Sequence, residues 1–262
     1  MFFSLPVESY LHISQYRDHP APTKTLGLCI LPPVSLDDST LAFTENILLH
    51  SFFGVKNFLL YDRGLTNKFL DTITEAREKD GLLSIRLLPW NPPGGKLDDE
   101  VTEYLVAADC AQRTKSEFES VAVLKMSQIL VPKAARTVGD VLKGQAWAWG
   151  PLQVDVLKFC SEFPANPRAG ANEYSLRALE QTTYDEEATL SAGGLRLMHR
   201  DAANHNRDGP DTVPRATMAI HDYDQCKKFD FDEKSTKEEL FVFNRVQLIE
   251  DKIGKYFPHK AV

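Results

Sequence analysis

The chain has 262 residues, of which 43% are hydrophobic and 26% are charged, and its formal net charge is -7. This composition is typical of a globular protein with a substantial core, and it excludes long disordered stretches. A nucleic-acid partner is disfavoured, because an acidic surface repels phosphates.

The first two strands and the first helix are predicted within residues 24–62. Residues 1–24 contain three prolines and indicate an irregular lead-in segment. The apolar run 26–31 ends at two prolines, as expected of a buried strand. Residues 37–40 offer side-chain oxygens that cap a helix, and Gly54 ends it. A second strand follows over 55–62.

The same alternation continues through the middle of the chain. The spacing of apolar residues predicts a helix over about 66–79, a strand over 82–88, a helix over 98–115 and a strand over 121–124. Strands that alternate with helices through short connections favour parallel strands and right-handed crossovers. The sequence therefore predicts an α/β fold, with a mostly parallel, Rossmann-like sheet flanked by helices.

The last hundred residues show a weaker pattern. We expect one strand over 152–159, an irregular region over 164–215, and a final helix that begins at a capping box over 235–238. No internal repeat or clean domain boundary is visible, so residues 25–262 are interpreted as a single domain with an irregular C-terminal part.

Location and redox state are only weakly constrained. No apolar run reaches the roughly 18 residues that a membrane helix needs, and residues 1–5 lack the basic flank of a signal peptide. An intracellular protein is slightly favoured, with the Golgi or another secretory lumen as the alternative if an N-terminal anchor has been removed. The four cysteines form no CxxC pair, which argues against structural zinc. Three disulfide connectivities are open, and we expect buried free thiols.

A motif in the second quarter of the chain carries a family resemblance. It consists of Glu45, His50, Gly54, Val55, Phe58, Tyr61 and Asp62. This spacing resembles the start of the family-92 (DUF23-type) glycosyltransferases, in which the pattern is roughly E-W-I-E-Y-H-x-x-x-G-V-x-x-F-x-x-Y-D-N. Asn46 replaces the tryptophan of that pattern, and Arg63 replaces its last asparagine.

Later segments extend the resemblance over roughly residues 25–165. Residues 89–92 resemble the aromatic-proline turn of the family, and Asp109, Cys110 and Arg113 match its A-x-N-D-C-x-x-R helix. Residues 219–221 are more loosely similar to a late histidine strand. The resemblance implies a GT-A fold over 25–262, clearest over 25–165.

The resemblance breaks where the family carries its metal ligands. There an apolar strand ends in D-x-D-E-F, and the two aspartates hold Mn²⁺ on the phosphates of a UDP-sugar. Here Lys125, Ser127 and Gln128 occupy the three acidic positions without a gap. A hard cation prefers anionic oxygen ligands, so we expect no metal and no catalytic residues at these degenerate positions. The Mn²⁺ and UDP-sugar of the family are not expected to be used.

Two interpretations of Lys125 remain open. In the first, the acidic residues drifted after catalysis lapsed, and the chain is an inactive relative (a pseudoenzyme) that acts as a protein-interaction or ligand-binding platform. Its partner is then another protein, with a nucleotide or glycan as a weak ligand. In the alternative, the Lys125 ammonium replaces the metal, and the protein is an active, metal-independent UDP-sugar transferase that moves a galactose-type sugar to a glycan. A third, weaker hypothesis is an adaptor that docks a basic partner on the acidic segment 230–239.

Further polar and aromatic residues are candidates for ligand contact. Asp62, Asp109 and Trp90 could join Lys125 at the carboxyl edge of the sheet, although strand-end carboxylates and buried tryptophans are commonly structural. Trp147 and Trp149 fall on one face of a strand and could form an exposed strip.

A second group of residues only superficially resembles a metal site. Its histidines and aspartates fit no ligand spacing: His199, His205, His221, Asp201, Asp208, Asp222 and Asp224. Residues 222–224 read D-x-D but follow a different strand, so we interpret them as coincidence.

Overall fold

Strands and helices alternate along the first half of the chain. In this computed structural model the described residues are 24–32, 39–79, 81, 83–92, 98–144, 152–161, 163, 165–167, 176–185, 195–199, 211–223 and 236–246. The first half contains β1 (Lys24–Ile30), α1 (Ser39–Phe52), β2 (Asn57–Asp62), α2 (Asn67–Lys79), β3 (Ser84–Pro89), α3 (Asp99–Thr114) and β4 (Phe118–Leu124). Lys24, the last residue of the predicted lead-in (1–24), begins β1, whereas residues 1–23 and the strip of Trp147 and Trp149 lie outside the described residues.

Shorter elements follow in the second half. They are β5 (Gln128–Pro132), α4 (Val138–Gly144), β6 (Leu152–Val154), β7 (Val156–Lys158), α5 (Arg177–Glu180), β8 (Thr183–Asp185), β9 (Leu195–His199), β10 (Asp211–Val213), β11 (Met218–Asp222), β12 (Thr236–Glu238) and α6 (Phe241–Val246). Across the described ranges, no helix is long and apolar enough to cross a membrane.

The main sheet has seven strands in the order β10-β6-β9-β4-β1-β2-β3. Strands β4, β1, β2 and β3 are mutually parallel, whereas β9 runs antiparallel between β4 and β6. The predicted fold class is confirmed: the chain is α/β, with a mostly parallel main sheet flanked by helices.

A second sheet positions the late strands against the end of β4. Its order is β12-β8-β7-β11-β5, and β5 pairs antiparallel with β11 so that Asp222 lies opposite Gln128. Since β5 begins directly after the turn that follows β4, this pairing brings Asp222, at the end of β11, to that turn.

Helices cover both faces of the main sheet. On one face α1 is almost wholly buried, with Phe43 and Leu49 in the larger core cluster. On the other face α3 packs Val106 and Cys110 against β1 and β2. The helix α1 ends at Phe52, and Gly54 lies two residues beyond it with a φ of 86°, which favours a residue without a Cβ.

Two predictions for the second half are wrong. The single strand expected over 152–159 is split at Asp155 into β6 and β7, which join different sheets. Asp155 there accepts a hydrogen bond from Arg215 at 3.1 Å. The region 164–215, predicted to be irregular, contains α5, β8, β9 and β10. Such short strands are fixed by their neighbours in the sheet rather than by their own periodicity.

The predicted capping box is also wrong. Residues 236–238 form β12, which pairs antiparallel with β8, and the final helix begins later, at Phe241. The backbone N–H of Phe241 donates to the carboxylate of Glu239 at 3.0 Å. Pairing with β8 thus makes residues 236–238 a strand, although their local sequence favours the start of a helix.

The expectation of free thiols is wrong as well. Cys29 on β1 and Cys110 on α3 form a disulfide across 81 residues of sequence. Cys160 is also disulfide-bonded. The pairing was not visible in the sequence, because it depends on how the helix lies across the sheet.

The Cys29–Cys110 disulfide should contribute strongly to stability. Replacing both cysteines by alanine removes a cross-link that closes a loop of 81 residues. We expect the free energy of unfolding to fall by about 4 kcal/mol, mainly through the entropy of the unfolded chain. Urea denaturation followed by tryptophan fluorescence measures this change. An unaltered transition midpoint in the double variant would contradict the assignment.

Candidate functional site

The carboxyl ends of the parallel strands β1, β2, β3 and β4 lie at one edge of the main sheet. Ligands of open α/β sheets bind outside this edge. After β4 the chain turns through residues 125–127 into β5, and we refer to residues 125–128 as the β4–β5 turn. It contains Lys125, Ser127 and Gln128, which the resemblance predicts to stand at the acidic positions of the family-92 pattern.

Asn46 holds this turn from helix α1. Its fully buried side chain donates to the carbonyl of Met126 at 3.1 Å and to that of Gln128 at 2.7 Å. One amide group therefore satisfies two buried backbone acceptors that would otherwise lack partners.

His50 holds β5 from the next turn of the same helix. Its Nε2 accepts the backbone N–H of Leu130 at 2.9 Å, which places the proton on Nδ1. Nδ1 in turn donates to the backbone carbonyl and the side-chain oxygen of Asn46, at 2.9 and 3.0 Å. Burial lowers the pKa of His50 to about 4, so the ring is neutral at physiological pH.

A carboxylate reaches the β4–β5 turn from β11. Asp222 accepts the hydroxyl of Ser127 on Oδ1 at 2.8 Å and the amide of Gln128 on Oδ2 at 3.1 Å. The Gln128 oxygen accepts the backbone N–H of Lys125 at 3.0 Å, and the N–H of Tyr223 donates to the Ser127 carbonyl at 3.0 Å. The turn is thereby hydrogen-bonded to β11 through both side chains and backbone.

Asp222 lies at the β4–β5 turn although it follows a different strand from the one that leads into the turn. The antiparallel pairing of β11 with β5 places it opposite Gln128. One signal in the sequence could have identified it, since it directly follows residues 219–221, the segment likened to the family's late histidine strand.

The groups at the turn do not suit a divalent cation. They comprise one carboxylate, one hydroxyl, one amide and the exposed side chain of Lys125. Both oxygens of Asp222 already accept hydrogen bonds, and hard cations need several anionic oxygens. A unit charge 4 Å from the Lys125 ammonium would be repelled by about 4 kcal/mol at an effective dielectric constant of 20, and a dication by more. Within the described ranges, no group of three or more His, Cys, Asp or Glu residues could hold a metal.

Asp62 lies at the same edge, at the end of β2, and organises its own loop. Its Oδ1 accepts the backbone N–H groups of Gly64 at 2.6 Å and Leu65 at 2.7 Å. This is the geometry of an Asx turn, so one of its oxygens has a structural role.

Asp109 and Trp90 belong to a separate cluster around Tyr61. Asp109 accepts the Tyr61 hydroxyl at 2.6 Å and two N–H groups of Arg113 at 2.9 and 3.0 Å. Burial of Asp109 raises its pKa, but these hydrogen bonds outweigh that effect and hold the pKa below its usual value. Trp90 packs edge-on against Tyr61 at 5.5 Å between ring centroids. Both predicted ligand residues thus have structural partners.

Two histidines of the superficial metal group, His199 and His221, lie in different sheets. His199 lies on β9 in the main sheet, whereas His221 lies on β11 in the second sheet. The buried His221 ring packs on Phe159 at 4.7 Å, and its Nδ1 lies 3.2 Å from the Tyr223 hydroxyl. Burial, together with the nearby Lys133 charge, lowers the pKa of His221. The other members that lie outside the described residues are Asp201, His205, Asp208 and Asp224.

Glu45 forms a buried ion pair that sequence reasoning missed. Its carboxylate accepts the Nε of Arg177 at 2.9 Å and the backbone N–H of Ala178 at 2.8 Å. Arg177 also donates to the carbonyl of Tyr223 at 2.8 Å. Burial raises the pKa of Glu45, while Arg177 opposes this shift. The ion pair between Glu45 and Arg177 thus connects α5 and the residue after β11 to α1. Only Glu45 belongs to the motif that resembles family 92.

The segment from β1 to α4 is similar to a known protein family. The sequence profile of glycosyltransferase family 92 matches residues 24–146. The matched stretch makes up just under half of the chain. The resemblance predicted from the sequence is therefore confirmed there, and the match spans β1 to α4, including the β4–β5 turn. No curated protein matches the chain.

Several solved glycosyltransferases are similar to this chain at low identity and with TM-scores below 0.5. GalNAc-T7 with UDP, GalNAc and Mn²⁺ is 13% identical, with a TM-score of 0.43 over 89% of this chain and 50% of that one. An active-site mutant of LgtC is 12% identical, with a TM-score of 0.37 over 70% of this chain and 60% of that one. The bifunctional glycosyltransferase WbbM is 8% identical, with a TM-score of 0.34 over 52% and 24%. The chain thus spans less than two thirds of these proteins, and the likeness to family 92 rests on the sequence match over residues 24–146.

The neutral His50 makes the stability of the fold depend on pH. The unfolded side chain binds a proton below pH 6.5, whereas the folded one does so only near pH 4. The contribution of His50 to the free energy of unfolding is therefore fully present above pH 6.5. It falls by about 3 kcal/mol as the pH drops through 4. His50→Gln keeps an acceptor for the N–H of Leu130 but does not titrate.

Urea denaturation at pH 7 and pH 4.5 tests this dependence. The wild-type chain should lose about 2 kcal/mol more free energy of unfolding between these pH values than His50→Gln. Equal losses in both proteins would show that His50 is not the titrating group.

Proposed function

We propose that this glycosyltransferase-family protein lacks metal-dependent sugar transfer and acts as an interaction or ligand-binding platform. The main support for this proposal is the composition of the β4–β5 turn, where Lys125, Ser127 and Gln128 stand in place of the family's acidic residues. The carboxylate that does reach the turn, Asp222, is already hydrogen-bonded to two of them.

The hydrogen bonds around the turn support a chain that has lost metal binding but has kept its fold. Buried side chains of α1 hold the turn and β5 through Asn46 and His50, without any ligand. A turn ordered in this way needs no cation to keep its shape, so metal binding and folding are uncoupled.

The disulfide between Cys29 and Cys110 indicates the kind of cellular compartment in which the protein folds. A bond between Cys29 and Cys110 is favoured in an oxidising compartment, and thiols are kept reduced in the cytosol. We therefore favour the secretory lumen, the alternative from the sequence, over an intracellular location.

A second candidate function is metal-independent transfer from a UDP-sugar. It is favoured by the exposed Lys125 at the carboxyl edge of the sheet, where its ammonium could pair with a diphosphate. The adaptor hypothesis is weaker, because Glu239, at the end of the acidic segment, is ion-paired with Lys133.

Titration calorimetry with UDP and UDP-galactose, with and without Mn²⁺, tests the proposal. We expect Mn²⁺ to change any nucleotide affinity by less than about twofold, because the turn offers no free carboxylate. The triple variant Lys125→Asp, Ser127→Asp and Gln128→Glu is the matched gain-of-site control.

Two outcomes would change the assignment. Markedly tighter UDP binding to the wild-type chain in the presence of Mn²⁺ would refute the loss of the metal site. Tight metal-free binding that disappears in Lys125→Ala would establish the second candidate function instead.

A further inference from the structure

The tyrosines in the described part of the chain differ sharply in exposure. Tyr104, in the second turn of α3, is 74% exposed, and its hydroxyl has no hydrogen-bond partner among the described residues. The other three described tyrosines are at most 7% exposed, and they are Tyr61, Tyr184 and Tyr223. Within the described ranges, Tyr104 is therefore the tyrosine whose hydroxyl an enzyme can reach from solution.

The sequence around Tyr104 is strongly acidic. No Lys or Arg occurs over residues 97–112. The acidic residues that closely precede the tyrosine are Asp98, Asp99, Glu100 and Glu103. Such a segment is attracted to an enzyme whose cleft is positively charged, and charge complementarity of this kind selects the partner and speeds the encounter.

Acidic neighbours alone do not distinguish Tyr104 from the buried tyrosines. Tyr184 is followed by one aspartate and two glutamates, and Tyr223 stands between two aspartates. The rings of Tyr184 and Tyr223 pack on the ring of Phe159, with centroids 5.6 and 5.0 Å away. In the part of the chain that the structure describes, only Tyr104 combines acidic neighbours with an accessible hydroxyl.

Two kinds of enzyme transfer an anionic group to a tyrosine hydroxyl, namely kinases and sulfotransferases. Both bind a nucleotide donor with several negative charges, so both need a positively charged cleft. The disulfide between Cys29 and Cys110 favours an oxidising compartment. Tyrosine sulfation takes place in the secretory lumen, whereas tyrosine kinases act largely in the reducing cytosol. The disulfide therefore favours sulfate over phosphate.

We propose that Tyr104 is a tyrosine sulfation site. The tyrosine oxygen attacks the sulfur of phosphoadenylyl sulfate, the nucleotide donor of activated sulfate. A bond forms between that oxygen and the sulfur, and the bond from the sulfur to the phosphate oxygen breaks. The phenol proton passes to a base of the sulfotransferase, and adenosine bisphosphate leaves. No atom changes its oxidation state.

The position of Tyr104 on α3 suits this reaction. The helix packs on the sheet through Val106 and Cys110, so the ring of Tyr104 extends away from the core. The sulfate ester adds a fixed negative charge and acceptor oxygens, groups that Arg side chains of a partner bind well. The inference rests on the secretory location and not on the loss of metal binding, so failed labelling would leave the proposed function untouched.

Labelling of the purified, disulfide-bonded chain tests the site. The chain is incubated with a tyrosine sulfotransferase and radiolabelled phosphoadenylyl sulfate, then reduced and digested with trypsin. We expect the label in the peptide 97–113, which contains Tyr104, and none in the peptide 178–196, which contains Tyr184. Tyr104→Phe should abolish the labelling, and the loss of one exposed hydroxyl should leave the fold intact.

Two charge variants test recognition of the acidic segment. Glu103→Gln should slow the labelling by about fivefold, as expected for the loss of one exposed charge pair with the enzyme. Glu75→Gln is the matched control, because it makes the same change at an exposed position of α2, on the opposite face of the main sheet. It should leave the rate unchanged.

Expression in cells distinguishes sulfate from phosphate. The chain is secreted from cultured human cells behind an added signal peptide, and the peptide 97–113 is analysed by mass spectrometry. We expect a modified Tyr104 that resists alkaline phosphatase. The modification should disappear when the cells grow in chlorate, which blocks the synthesis of phosphoadenylyl sulfate.

Several results would overturn the proposal. The first is a folded chain that takes up no label, and the second is labelling that persists in Tyr104→Phe. Equal labelling of Tyr104 and Tyr184 would show that the enzyme acts on the unfolded chain. In the cell experiment, an unmodified Tyr104 would refute the site, and a group that phosphatase removes would assign it to a kinase instead.

Discussion

The carboxylate of Asp222, shared between Ser127 and Gln128, is the interaction on which this account depends. Hydrogen bonds to a charged acceptor contribute about 1.5 to 3 kcal/mol each, and a buried carboxylate without them is costly. In a metal-dependent relative, acidic side chains at this turn would repel one another until a cation bound. Here a single negative charge meets two neutral donors, so the turn is satisfied without an ion.

Helix α1 carries three buried polar side chains that lie within the motif resembling family 92. Glu45, Asn46 and His50 are completely buried, and each holds a different part of the chain. Glu45 binds α5 through Arg177, Asn46 binds the turn, and His50 binds β5. Removing any of them would leave buried polar partners unpaired. Structural demand alone is therefore sufficient to retain these residues, whether or not the protein transfers a sugar.

The sequence predicted the first half of the fold well, because its strands and helices carry clear apolar periodicity and end at Gly54 or at prolines. It failed for β9 and β12, which are short and depend on pairing with distant strands. The disulfide between Cys29 and Cys110 and the approach of Asp222 to Gln128 failed for the same reason. Each joins residues about 80 or more apart in the chain through packing, and local pattern carries no information about that.

The most direct test of the central claim is a Mn²⁺ titration of the wild-type chain followed by electron paramagnetic resonance, without nucleotide. Free Mn²⁺ gives a sharp six-line signal that is lost when the ion is bound to protein. The account predicts that the signal rises in proportion to added metal, with no saturable site at the β4–β5 turn. One Mn²⁺ ion bound per chain with an affinity on the order of micromolar, and released by Asp222→Asn, would contradict it.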